Sequence, residues 1–94
     1  MEKTSVMRRI RTECGVSLSE MERLTGVSHQ YFSELELSEG RKSVGAEKIV
    51  RKAFEAVIAE RGAGVKRLAE LYAENRANLL LFAPPREKEA GREP

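Results

Sequence analysis

Few residues of this chain could make or break covalent bonds. Its 94 residues include one cysteine, Cys14, and one histidine, His29, and all 15 acidic residues are glutamate. No nucleophile, base and orienting group can be picked from that inventory, so no catalytic residue and no enzymatic activity are expected. A metal site fails for the same reason, since zinc needs about three or four nitrogen, sulfur or carboxylate ligands held together. No metal and no other cofactor is expected. A lone Cys14 cannot close an internal disulfide, and it reads as a small buried hydrophobe at a helix end. Recognition through hydrogen bonds and charge is what remains.

The net charge of +2 is modest but unevenly placed. Basic residues gather in 1–16 and again in 41–67, on either side of an acidic stretch over 17–40. Within the second block Arg41, Lys42, Lys48, Arg51 and Lys52 form the kind of cluster that neutralises phosphates; a solvated basic face is the plainer alternative. With 40% hydrophobic and 34% charged residues, the composition suits a small domain with an ionised surface, too short to wrap a deep cleft. Ala, Leu, Arg and Glu outweigh the β-branched residues, and these straight-chain types lose little freedom in a helix, so an all-α fold is expected. No apolar run approaches the roughly 20 residues that span a bilayer, and Met1 to Arg11 holds no apolar signal core. A cytoplasmic, nucleoid-associated protein is the expectation.

The elements that must position these groups can be placed along the chain. A first helix runs from about Ser5 to Cys14, with Val6, Met7 and Ile10 on one stripe and Gly15 where a left-handed cap would fall. Ser17 opens a second helix, with Glu20 completing a capping box; Met21 and Leu24 form its apolar face and Gly26 closes it. Ser28 caps a third, in which Phe32 and Leu35 must point inward. His29, Gln30, Ser33 and Glu34 then face outward. Two short helices joined through Thr25-Gly26-Val27-Ser28 make a helix-turn-helix pattern.

Here the chain resembles the lambda-repressor-like, or XRE-type, helix-turn-helix family. The likeness runs from residue 5 to about residue 58 and rests on Ile10 to Ser28 continued through Phe32-Ser33-Glu34-Leu35-Glu36. It departs at Leu18, where the family often has glutamine, and at Glu22, where a small residue is common. Gly40 falls two residues late, and the usual proline near Ser43 is missing. The resemblance implies a bundle of four or five helices that binds operator DNA, usually as a dimer. It makes His29, Gln30, Ser33 and Glu34 the base readers: Gln30 for adenine, His29 for a guanine edge or a phosphate, Glu34 for a cytosine amino group. Ser28 would cap the helix and donate to phosphate. Tyr31 would either reach the DNA backbone or cover a gap beside the fourth helix. Arg41 and Lys42 lead the expected phosphate contacts, joined by Lys48 and, from the first helix, Arg8 and Arg9. The resemblance also pairs Arg11 with Glu36, tying the first helix to the end of the third.

From Ser43 a fourth helix carries Ala46, Ile49, Val50, Ala53, Phe54, Val57 and Ile58 on a broad apolar stripe. Gly62 and Gly64 interrupt it. Beyond them Val65, Leu68, Tyr72, Asn75, Leu79 and Phe82 fall on heptad spacing, with Asn75 as a polar position able to set register. One reading makes this a self-pairing helix and the dimer interface; the other folds it back on its own domain. Pro84-Pro85 must end the helix, and the charged segment 84–94 is expected to be disordered.

The chain therefore divides into a DNA-binding unit at 1–60, a C-terminal helix at 61–83 and a tail at 84–94. The function expected by resemblance is a homodimeric repressor on an inverted-repeat operator in double-stranded DNA. A protein-interaction module on the same fold, such as an antitoxin or anti-regulator using the Leu79 to Phe82 cluster against another protein, is the competing expectation.

Overall fold

The computed structural model describes residues 4–40 and 42–83. Among these, five α-helices, one 3-10 turn and a single two-residue strand pair account for the regular structure. In chain order they are β1 (Thr4–Ser5), α1 (Val6–Cys14), α2 (Leu18–Thr25), α3 (His29–Leu37), α4 (Val44–Arg61), α5 (Lys66–Asn75) and β2 (Phe82–Ala83). The all-α expectation holds.

Serine starts each of the first four helices. The hydroxyls of Ser5, Ser17, Ser28 and Ser43 accept from the amides of Arg8, Glu20, Gln30 and Ala46 at 3.0–3.2 Å, satisfying donors that a helix start leaves without partners. Gly15 (φ 68°) and Gly26 (φ 78°) end α1 and α2 in the left-handed conformation that favours glycine. The turn after α2 is only three residues long, so α3 must start close to where α2 stops.

Met7, Ile10, Met21, Phe32, Val50, Phe54 and Val57 meet in one core. That core also contains Leu68, Leu71, Tyr72, Leu79 and Leu80. The Tyr72 ring stacks on Phe54 with centroids 5.9 Å apart. Residues 61–83 thus fold back, and three of the side chains expected at a dimer interface, Leu68, Tyr72 and Leu79, are buried in their own chain. The heptad spacing was real, but it faces the domain. A core this small gains more by covering Phe54 and α1 than by leaving a seam exposed.

The interruption at Gly62 and Gly64 is present, and the C-terminal helix expected over 61–83 is shorter than that. Gly62 (φ 75°) caps α4, a 3-10 turn spans Gly62–Gly64, and α5 stops at Asn75. Asn75 does not sit in a seam; its amide donates to the Leu71 carbonyl of the preceding turn at 2.9 Å. Residues 79–83 turn instead onto the start of the chain. Thr4 pairs with Ala83 and Ser5 with Phe82, while the amides of Val6 and Met7 donate to the carbonyls of Leu81 and Leu79 at 2.9 and 2.8 Å. The C-terminal segment thereby satisfies the first amides of α1, which a longer α5 could not do. Val65 and Phe82, the remaining seam positions, are half-buried.

Candidate functional site

The site is built on α3, and its inner side is fixed first. Phe32 is fully buried, Leu35 nearly so, and Glu36 is only 1% exposed. A buried carboxylate is costly unless its oxygens are satisfied. Arg11 satisfies both: Nε donates to Oε2, and Nη2 donates to Oε1 at 2.9 Å. The third guanidinium nitrogen, Nη1, reaches the Val16 carbonyl at 2.9 Å. Arg11 therefore joins α1, the turn after it and the end of α3 in one contact. Arg8 adds a second cation 3.6 Å from Glu36 Oε1.

The outer side carries the expected readers. His29, Gln30 and Glu34 are exposed and Ser33 is half-buried. Ser28 is exposed at the helix start, with its oxygen accepting from the Gln30 amide. Tyr31 turns the other way: half-buried, edge-on to Phe32 with centroids 6.1 Å apart, it packs against the core. Of the two roles expected for Tyr31, covering a gap fits this position.

The basic residues are less uniformly placed. Lys48 is exposed on α4. The Lys42 ammonium, expected at phosphate, is instead drawn to the C-terminal end of α3, where it donates to the Ser38 carbonyl and, at 3.2 Å, to that of Gly40; it also lies 5.6 Å from the centre of the Phe82 ring. The partial negative charge of a helix C-terminus accounts for that choice. Arg9 Nε donates to Thr4 Oγ1 at 3.4 Å. Arg41 lies outside the described residues, as do the prolines and tail at 84–94.

Two residues without a role in the sequence reading stand out. Glu22, on α2, accepts from His29 Nδ1 at 2.7 Å and from the His29 amide at 3.3 Å. The histidine hydrogen bond holds the Glu22 carboxyl below the ordinary glutamate range. Its spacing of seven from His29 across a three-residue turn was the available signal, besides its departure from the resembled family. The second is Arg61, which bridges Glu20 on α2 and the carbonyls of Cys14 and Gly15 at the end of α1. Glu20 thus serves Arg61 with its carboxylate while its amide takes the Ser17 cap.

Burial, reinforced by the neighbouring Glu13 charge, pushes the Cys14 thiol up, so it stays protonated as a weakly polar packing group. No helix among the described residues is long and apolar enough to cross a membrane. No protein-family model, curated protein or solved structure matches the chain.

Proposed function

We propose that the protein is a sequence-specific DNA-binding transcriptional regulator, a repressor, whose α3 enters the major groove. The observation carrying this reading is the two-sidedness of α3. Phe32, Leu35 and the Arg11–Glu36 pair hold one side rigidly, while His29, Gln30 and Glu34 stand in solvent on the other. Polar side chains at the start of a capped, rigid helix suit hydrogen bonding to base edges. The helix-turn-helix resemblance of the sequence supports the same orientation. Gln30 would pair with adenine, Ser33 and Glu34 would lie deeper along the groove, and Lys48 with Ser28 would contact phosphate. Such a regulator does no chemistry; occupying a promoter excludes polymerase.

Two copies on an inverted repeat belong to this reading, although Leu68, Tyr72 and Leu79 are committed to the core and cannot also pair the copies. The competing interaction-module reading drew on residues 79–82. Leu79 and Leu80 are buried, which removes half of that apolar cluster from reach, while Leu81 stays exposed and Phe82 is half-buried. Selection of bound fragments from a random duplex pool tests the proposal. An enriched inverted repeat with half-sites about one turn, roughly 34 Å, apart is expected; uniform recovery of all sequences would defeat it.

A further inference from the structure

We infer that Glu22 determines which base His29 recognises, by holding the imidazole so that Nε2 faces outward as a hydrogen-bond acceptor. The inference rests on the reading of α3 as the DNA-reading helix and names a residue outside that helix as its specificity control.

Hydrogen-bond inventory carries the argument. An ionised carboxylate only accepts, so a Glu22 oxygen 2.7 Å from Nδ1 requires the proton to be on Nδ1. In the neutral imidazole the other nitrogen, Nε2, is then an acceptor with a free lone pair. The same Glu22 oxygen accepts from the His29 amide at 3.3 Å, fixing the carboxylate against the start of α3, whose positive end favours a negative group. The His29 side chain remains 53% exposed, and among the described residues Nε2 has no partner.

An outward acceptor selects its base. In the major groove it complements the amino group of cytosine N4 or adenine N6 and is mismatched to the N7 and O6 acceptors of guanine and to phosphate. The guanine or phosphate contact expected from the sequence is therefore replaced by a cytosine or adenine contact. Glu22 is a positioning residue here; it shapes the reader without touching DNA.

Nitrogen-15 spectra of the His29 ring in the full-length chain, recorded with the imidazole neutral, test the lock independently of DNA. The Nδ1–H form is expected in the natural protein, and Glu22→Ala should release it to a mixture rich in Nε2–H. Identical tautomer ratios in the two proteins would overturn the inference. Selection from a random duplex pool is then compared between them. A preference of about tenfold for cytosine or adenine at one base pair of each half-site should fall to near parity in Glu22→Ala, the other positions being unchanged. An enriched site that is the same in both proteins overturns the role of Glu22 alone. No enriched site in either, with the Nδ1–H lock intact, overturns the reading of α3 and the base assignment with it. Glu22→Gln, whose amide oxygen also accepts, should keep most of the lock and most of the preference; loss equal to that of Glu22→Ala would count against the tautomer explanation.

Discussion

The Arg11 guanidinium meets the Glu36 carboxylate fork to fork, and with Glu36 only 1% exposed this pair is the polar contact most deeply set beneath α3. Removing one member strands the other. Arg11→Ala is expected to destabilise the fold by about 3 kcal/mol, the low end for breaking a buried pair, because the carboxylate loses both its donors and keeps only the Arg8 cation 3.6 Å away. Replacing both residues with apolar ones of similar size should recover much of that loss. Denaturant unfolding of Arg11→Ala, Arg11→Met, Glu36→Leu and the Arg11→Met/Glu36→Leu double variant checks this; additive losses in the double variant would mean the two side chains are not coupled.

Arg61 is a more exposed staple, and its removal should cost less. Its four hydrogen bonds join α4 to the end of α1 and the first turn of α2, but the side chain is 29% exposed and water can replace part of what it supplies. Arg61→Ala is expected to lower stability by about 1 kcal/mol, or roughly 4–8 °C in the melting temperature of a domain this size. An unchanged melt would mean that water substitutes fully for the staple.

Leu68→Ala distinguishes a folded-back α5 from a pairing seam. Leu68 is 2% exposed within its own chain, so its truncation should cost about 2–5 kcal/mol of intrinsic stability. The drop in melting temperature should be the same across a wide range of protein concentration. A loss that disappears at high concentration would place Leu68 between copies instead.

Tyr72 gives the fold an alkaline limit. Burial, and then the bond from its hydroxyl to Glu55 at 2.5 Å, push the phenol above its ordinary value. The folded state therefore holds the proton after the unfolded chain has released it. Stability is intact below the unfolded value near pH 10 and falls as pH rises from there through the folded value. Tyr72→Phe should lose this component, so the difference in melting temperature between the two proteins should narrow above about pH 10. A constant difference would show that the phenol is not perturbed.

Local signals made the first half legible, and non-local ones hid the second. Ser17, Ser28, Gly15 and Gly26 announce helix ends through chemistry confined to a few residues, and each end falls where that chemistry requires. Phe32 and Leu35 likewise declare their inner face by spacing. The destination of Leu68, Tyr72 and Leu79 depended on which surface they would meet, and heptad spacing describes a face without naming its partner. Nor did any local pattern reveal that the Leu79 and Leu81 carbonyls would receive the first amides of α1. No role could be assigned to Arg61 or Glu22 from the sequence because their partners lie on other elements, at Glu20 and His29.

The proposed function makes Gln30 and Lys48 respond differently to the same substitution. Gln30 is exposed one residue into α3 and buries nothing, so Gln30→Ala should leave the fold's stability unchanged. Bound to a cognate duplex it would lose a bidentate contact to adenine, costing about 1–3 kcal/mol there and nothing on unrelated sequences. Lys48, exposed on α4, has only charge to offer a phosphate. Lys48→Ala should weaken every duplex alike and lower the slope of log affinity against log salt by about one. Titrations of both variants on cognate and scrambled duplexes at several salt concentrations separate the roles. Equal loss on all sequences for Gln30→Ala would reduce it to a non-specific contact, and an unchanged salt slope for Lys48→Ala would remove α4 from the phosphate path.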